Sequence, residues 1–235
     1  MVDKCRSSYR IGAHCTVAAV PGRFITFEGL DGSGKSTQLR LAADWLREQG
    51  VDVVDTHEPG GTPLGGAVRG IFLDSRWGQM DGVVELLLVS ASRRQHVLEV
   101  IEPALARGAW VLCDRFVDSS WAYQGSGRGI PAERVAMAES LATGGLLPEL
   151  TLLFDLPAAA ARKRGKSPKR AARGAVDRLD AEELAFYERV RRGFLDRAAA
   201  DLGRFRIVDS SGDKDATKAA VRATLQPLLT AAATT

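Results

Sequence analysis

Cysteine is scarce in this chain, and long apolar segments are missing. The three cysteines among 235 residues, Cys5, Cys15 and Cys113, form neither a Cys-x-x-Cys pair nor a zinc-ligand spacing. This pattern argues against a disulfide scaffold or a thiolate zinc site and favours a reducing, intracellular setting. No segment approaches the ~18 apolar residues that are needed to span a bilayer. We therefore predict a cytoplasmic protein without a membrane partner.

A strong excess of one charge is also missing. The net charge of +3 is too small to indicate nucleic acid by itself, and we predict no nucleic-acid partner. The distribution is less even, because a basic run from Arg162 to Arg173 contains no acid before Asp177. Composition alone leaves two interpretations of this run open, a solvated or disordered face and an anion-binding flap.

The first 22 residues carry no functional pattern. Their weakly apolar patch, 11–20, is interrupted by His14, Cys15 and Thr16 and makes a poor secretory signal. A loose N-terminal extension, or a start upstream of the true one, explains it better. The remaining length suits one domain. We therefore predict an extension over 1–22 and a single domain over 23–235.

From Arg23 onward, strand patterns alternate with helix patterns. The predicted strands are 24–28, 51–56, 109–113, 150–154 and 204–208. The predicted helices are 35–49, 64–73, 83–107, 181–200 and 217–229. Such alternation predicts an α/β fold with a five-stranded parallel sheet and helices on both faces. Ligands of such sheets bind beyond the carboxyl ends of the strands.

The first predicted strand ends in a phosphate-binding pattern, Gly29-x-x-x-x-Gly34-Lys35-Ser36. Its backbone N–H groups can surround a phosphate, and the following helix adds its positive end. Lys35 reaches the terminal phosphates, and Ser36 can bind magnesium. A plain glycine-rich turn is the alternative, but the strand and helix around the loop favour a P-loop NTPase-type three-layer fold. The predicted ATP-binding residues are Gly29, Leu30, Asp31, Gly32, Ser33, Gly34, Lys35, Ser36 and Thr37.

Asp114 and Arg115 directly follow the third predicted strand. A carboxylate there commonly holds magnesium or its water, and an arginine can bind a phosphate with two parallel hydrogen bonds. A surface salt bridge is the alternative interpretation. The phosphate loop at the same edge of the sheet favours the functional one.

Polar side chains follow Asp114 and Arg115, and an arginine also follows the apolar stretch of the predicted helix 83–107. Ser119, Ser120, Tyr123 and Gln124 are suited to contact a sugar or a base edge, but they also fit a polar loop with a core tyrosine. Arg93 is either a helix cap or a ligand contact. No Asn-Lys-x-Asp guanine signature occurs, which disfavours a GTPase switch. Two phosphate sites suit phosphoryl transfer between two anionic substrates.

Together these motifs resemble the thymidylate kinase family. The segments that carry the resemblance are FEGLDGSGKST (27–37), EPGGTPLG (58–65), SRRQH (92–96), CDRFVDSSWAYQG (113–125) and DRLDAEE (177–183). The phosphate loop is common to many kinases, whereas the second and fourth segments are quite specific. The resemblance implies a homodimer that transfers the γ-phosphoryl group of ATP to dTMP with Mg²⁺.

The resemblance also implies roles for individual residues. Asp31 would accept a hydrogen bond from the deoxyribose 3′-hydroxyl, Arg115 would hold the dTMP phosphate, and Tyr123 would occupy the space of a ribose 2′-hydroxyl. The implied dTMP-binding residues are Asp31, Glu58, Arg69, Arg93, Arg115, Ser119, Ser120, Tyr123 and Gln124. The implied metal ligands are Ser36 and Asp114. The implied catalytic residues are Lys35, Arg115, Arg173, Arg164 and Asp31.

The transition-state cation of this family comes from the phosphate loop or from a lid. Here the loop offers Gly32 and Ser33, so the basic run is interpreted as a lid over about 162–176. Arg164 and Arg173 are its candidate residues.

The sequence departs from the family at three places. Val89 stands where an aromatic ring usually stacks on thymine, His57 replaces an arginine, and the lid is longer than expected. Another ring could fill the gap at Val89, and the candidates are Phe72, Trp77 and Trp121. Two rival functions stay open at this point, a monophosphate kinase of different base preference and a non-catalytic nucleotide-binding module.

Overall fold

A computed structural model describes residues 22–165 and 177–233. Its strands are β1 (Phe24–Gly29), β2 (Val53–His57), β3 (Trp110–Asp114), β4 (Leu150–Asp155) and β5 (Phe205–Asp209). They form one parallel sheet in the order β2-β3-β1-β4-β5. The predicted α/β fold with a five-stranded parallel sheet is confirmed. The predicted extension over 1–22 falls almost entirely outside the described residues and stays a prediction.

The described helices surround this sheet. They are α1 (Lys35–Glu48), α2 (Pro63–Leu73), α3 (Gly82–His96), α4 (Glu102–Ala106), α5 (Val117–Ser120), α6 (Ala132–Thr143), α7 (Ala158–Gly165), α8 (Leu184–Ala200) and α9 (Lys214–Ala233). Two π-helical segments, Val97–Ile101 and Trp121–Gly127, continue α3 and α5. Short 3₁₀ turns occupy Ser75–Trp77 and Arg178–Ala181.

The apolar core lies on both faces of the sheet because helices cover both. Ile25 and Phe27 of β1 belong to a core cluster shared with α1 and α9. Phe24, which alternates with them, packs in a second cluster with Phe116. Successive side chains of a strand point to opposite faces, so Thr26 and Glu28 share the face of Phe24. The carboxylate of Glu28 is thereby buried on the face of the sheet that α5 and α8 cover.

Some helix boundaries differ from the predicted ones. The predicted helix 83–107 is interrupted by a π-helical segment, and the predicted helix 181–200 begins later, at Leu184. The delay has a local cause: Asp177 and Asp180 form a capping box around the preceding 3₁₀ turn. Three helices, α5, α6 and α7, lie outside the predicted ones. Proline and glycine at the ends of α6 and α7 resemble loop signals, and α5 spans only four residues.

In residues 22–165 and 177–233, no helix combines the length and the apolar character that crossing a membrane requires.

Candidate active site

The phosphate loop connects β1 to α1 through glycines with left-handed backbone angles. Gly34, at the N-cap of α1, has φ 89°. Gly32 has φ 86°, and a Cβ atom there would lie 2.3 Å from the Ala161 carbonyl oxygen. This close approach means that α7 packs directly on the loop. Lys35 is buried and leads into the site, with Nζ 3.4 Å from Asp31 Oδ1 and 3.8 Å from Asp114 Oδ1.

The two predicted metal ligands touch each other. Ser36 Oγ donates a hydrogen bond to Asp114 Oδ2. Asp114 Oδ1 is buried and accepts no hydrogen bond, and its nearest cation, Lys35 Nζ, lies 3.8 Å away, so this carboxylate oxygen can still bind a metal ion. In the described part of the chain, no group of three or more His, Cys, Asp or Glu residues could hold a metal by itself. This donor set fits Mg²⁺, which usually takes one or two protein oxygens and completes its shell with water and phosphate.

Arg115 occupies the turn after β3 with a left-handed backbone. Its φ of 74° is the one positive value for a non-glycine residue among those the structure describes. Its guanidinium reaches three partners: Nη1 donates to Ser119 Oγ at 3.0 Å, and Nη2 lies 3.0 Å from Asp31 Oδ1 and 3.1 Å from Tyr123 Oη. The cation predicted to hold the acceptor phosphate is therefore fixed beside the acid of the phosphate loop.

A cavity opens beside Asp31 and Arg115. It is lined by every residue that the sequence predicted for the acceptor: Asp31, Glu58, Arg69, Arg93, Arg115, Ser119, Ser120, Tyr123 and Gln124. Val89 and Phe72, the two positions that the sequence connected with thymine stacking, also line it. Residues not assigned to the acceptor site from the sequence complete the lining: Pro59, Leu73, Asp177 and Leu179. Most of these are apolar and carry no chemical signal of their own.

Arg93 lies at the buried end of this cavity and is anchored by the protein. Nε donates to Glu58 Oε2 at 2.6 Å, Nη1 to Ser120 Oγ at 3.1 Å and Nη2 to the Phe116 carbonyl at 3.0 Å. A guanidinium has further N–H groups on its η nitrogens, so a base edge can still be contacted. Glu58 is also held by His96, whose Nδ1 lies 2.9 Å from Oε1.

Arg69 approaches the cavity from α2. Its Nη1 donates to the Pro59 carbonyl at 2.9 Å. Burial, and then the positive charge of Arg115, lower the pKa of Arg69. Arg69 and Arg115 line the same cavity and repel each other, so an anion bound between them would be favoured.

Two buried carboxylates next to the site were not predicted from the sequence. Glu28 accepts from the backbone N–H of Phe116 and from Ser119, and Glu85 accepts from Gln124 at 3.1 Å. Glu85 also pairs with Arg178 at 2.7 Å. An acid inside an apolar strand or helix pattern was the available signal for both.

The two lid candidates differ in what the structure describes. Arg164, at the end of α7, donates to the carbonyls of Ser210 at 2.8 Å and Ser211 at 3.2 Å. Arg173 and the rest of the basic run over 166–176 lie outside the described residues. Arg164 belongs to α7, and this helix contacts the phosphate loop at Gly32.

Comparison with known proteins decides the family. Residues 27–221 match the family model described as thymidylate kinase. The chain belongs to the thymidylate kinase family. It is 47% identical over 210 residues to a thymidylate kinase of Thiobacillus denitrificans, covering 89% of this chain and 99% of that relative. It is 49% identical over 208 residues to the Pseudomonas entomophila thymidylate kinase, covering 88% and 97%.

A solved structure agrees with this membership. The crystal structure of thymidylate kinase from Ehrlichia chaffeensis superposes with a TM-score of 0.70 at 36% identity, covering 88% of this chain and 99% of that one. Membership in the thymidylate kinase family makes the chain a transferase of nucleotide biosynthesis that uses ATP and phosphorylates dTMP. The enzyme and substrate predicted from the motifs are thereby confirmed.

Proposed function

We propose that the cavity beside Arg115 holds dTMP, so that its phosphate meets the γ-phosphoryl group of ATP where the phosphate loop opens into the cavity. One observation carries this assignment. Lys35, Asp31 and Arg115 meet at this place, with Asp31 Oδ1 3.4 Å from the lysine and 3.0 Å from the arginine. A donor site and an acceptor site thus share one charged boundary, as in-line transfer between two anions requires.

The chemistry asked of the residues is mainly orientation and charge compensation. Lys35 would contact the phosphates of ATP, and Arg115 and Arg69 would hold the acceptor phosphate. Asp31, beside these cations, would take the sugar 3′-hydroxyl. Arg164 or Arg173 would supply the further cation that a loop with Gly32 and Ser33 lacks.

Magnesium belongs to this proposal as a cofactor. Ser36 and Asp114 would hold it, since they present a hydroxyl and an open carboxylate oxygen at the phosphate loop. Bound there, Mg²⁺ would offset negative charge on the phosphates.

The acceptor base would lie among Arg93, Ser120 and Gln124. Tyr123 would exclude a ribose 2′-hydroxyl, and it is well fixed for that role. Its hydroxyl is tied to Arg115, and its ring packs edge-on against Phe186 and Phe194, each with centroids 6.2 Å away.

A homodimer is the second part of the proposal. Exposed apolar side chains share one face of α3, Val84 and Leu87, and one face of α6, Met137 and Leu141. The two helices pack against each other. We infer that these exposed side chains belong to one joint surface. Contiguous exposed apolar surface of this kind typically marks a protein interface.

The cytoplasmic location and the lack of a nucleic-acid partner stay predictions from the sequence.

The experiment that tests the acceptor site is a coupled ADP assay with and without dTMP, extended to dUMP, dCMP and AMP. We expect ADP formation that depends on dTMP and falls strongly with the other acceptors. Equal rates with another base would contradict the proposed placement of thymine in this cavity. ADP formation that does not depend on dTMP would contradict the assignment of this cavity to the acceptor.

A further inference from the structure

The turn that presents Arg115 is held in a conformation that needs support. A left-handed backbone at a residue other than glycine is strained and persists only where the surroundings enforce it. Here the backbone N–H of Arg115 donates to the Phe27 carbonyl at 3.0 Å. The next N–H, that of Phe116, donates to Glu28 Oε1 at 2.7 Å. Both supports come from β1, immediately before the phosphate loop.

Glu28 holds this turn at more than one point. Besides the Phe116 N–H, its Oε1 accepts the Ser119 N–H at 3.2 Å. Its Oε2 accepts a hydrogen bond from Ser119 Oγ at 2.6 Å. The carboxylate is fully buried, so its removal would take this acceptor from the Phe116 N–H and the Ser119 hydroxyl, whereas the Ser119 N–H also donates to the Phe116 carbonyl at 3.2 Å. The Glu28 side chain thus fixes the chain between the end of β3 and α5 through its hydrogen bonds to Phe116 and Ser119.

The contacts continue to the guanidinium of Arg115. Ser119 Oγ, which donates to Glu28, accepts from Arg115 Nη1 at 3.0 Å. Glu28 therefore acts on both the backbone and the side chain of the arginine, through hydrogen bonds and without touching the cavity. Burial, and next the charge of Asp118, raise the pKa of Glu28 to about 7, whereas Arg115 lowers it.

We propose that Glu28 is a positioning residue for phosphoryl transfer, which directs the Arg115 guanidinium at the acceptor phosphate. The proposal rests on the function proposed above for Arg115. In this proposal the acceptor phosphate is positioned through Glu28 of β1. The same strand leads into the phosphate loop that binds ATP.

The test compares two replacements of Glu28. Glu28→Leu keeps the approximate size of the side chain and removes every acceptor, and we expect kcat to fall about 10²-fold because the arginine is displaced. The KM for ATP should change little, since the donor loop is not held by these contacts. Glu28→Gln keeps an oxygen for the two backbone N–H groups and should stay within a few-fold of the wild-type kcat.

A matched control and a double-mutant cycle separate positioning from loss of stability. Thr26→Val removes a buried hydrogen bond from the same face of β1, where Thr26 and Thr151 hydroxyls lie 2.8 Å apart. It should lower Tm while leaving kcat unchanged. In an Arg115→Ala background, Glu28→Leu should cause little further loss of kcat, because its effect acts through the arginine.

Three outcomes would overturn the inference: wild-type kcat in a folded Glu28→Leu enzyme, an equal loss of kcat in Thr26→Val, or fully additive losses in the cycle. Near-normal turnover of Arg115→Ala alone would instead overturn the proposed role of Arg115, and with it this one. Should Glu28→Leu fail to fold, a Glu28→Gln enzyme with a large loss of kcat would still contradict the proposal.

Discussion

Asp31 and Arg115 form an ion pair across the mouth of the cavity, with 3.0 Å between Oδ1 and Nη2. The pair explains why a phosphate-binding loop contains an acid. The carboxylate points towards the arginine at the turn after β3 and towards Lys35, so two cations compensate its charge. An acid placed this way can contact a sugar hydroxyl beside the acceptor phosphate without opposing the phosphates of ATP.

The lid is expected to act on the chemical step. Arg173→Ala should lower kcat by about 10²-fold and raise the KM for dTMP much less, since its charge is needed mainly in the transition state. Arg164→Ala and the double variant, measured in the same assay, show how the two arginines share this role. The exposed Arg192 of α8 offers a control, as Arg192→Ala. Wild-type kcat in the double variant would leave the basic run as a solvated face.

Asp114→Asn should weaken the response to Mg²⁺. The open carboxylate oxygen becomes part of a neutral amide, so the Mg²⁺ concentration for half-maximal activity should rise by about tenfold or more. Titration calorimetry offers a second measurement, because Mg²⁺ should tighten ATP binding by the wild type and much less by the variant. Asp52→Asn, at an exposed carboxylate, serves as the control. An unchanged Mg²⁺ response would remove Asp114 from the metal site.

The raised pKa of Glu28 predicts a pH dependence of stability. Between about 4.5 and about 7 the buried Glu28 keeps its proton while the unfolded chain loses it. Stability from this group is therefore complete below pH 4.5 and is lost as pH rises through about 7. Glu28→Gln removes the ionisation, so its Tm should fall less than that of the wild type over this range. Glu99→Gln, at an exposed position, should follow the wild type, and parallel curves for all three proteins would refute the prediction.

Phe72 should carry the aromatic contact that Val89 cannot make. Phe72 and Val89 line the same cavity, whereas Trp77 is 57% exposed and Trp121 donates to Glu139. Phe72→Leu should weaken dTMP binding about tenfold, the order typical of base stacking, and leave binding of base-free deoxyribose 5-phosphate unchanged.

Two further variants control this prediction. Phe72 lies under Arg178, 5.4 Å from the ring centroid. Phe205 is likewise a buried ring under an arginine, with Arg204 at 4.4 Å, and Phe205→Leu should not affect dTMP binding. With Phe72 already in place, Val89→Phe should bring no gain in dTMP affinity. If the Val89→Phe enzyme bound dTMP several-fold more tightly than the wild type, no ring would fill this position in the wild type.

The apolar face of α3 and α6 should mediate dimerisation. Leu87→Glu buries a charge in the proposed interface and should convert the dimer to a monomer, as measured by analytical ultracentrifugation. Leu202→Glu is a matched control, because Leu202 is 76% exposed and belongs to the turn between α8 and β5, outside both α3 and α6. A dimer that survives Leu87→Glu, or dissociates equally with Leu202→Glu, would locate the interface elsewhere.

The sequence by itself determined the parts of this protein that depend on local spacing. The glycines of the phosphate loop, the alternation of strands and helices, and Asp114–Arg115 at a strand end are all defined within short segments. They specify backbone geometry directly, so the parallel sheet and the positions of Lys35 and Arg115 followed from them.

Only the tertiary structure decided which distant residues meet. The strand order places the carbonyl ends of β1 and β3 side by side, and this brings Glu28 to Phe116 across 88 positions of sequence. Glu85 likewise reaches Gln124 across 39 positions. Such partners have no fixed spacing, because strand pairing and helix packing select them. Burial then makes each unpaired polar group costly enough to require the match.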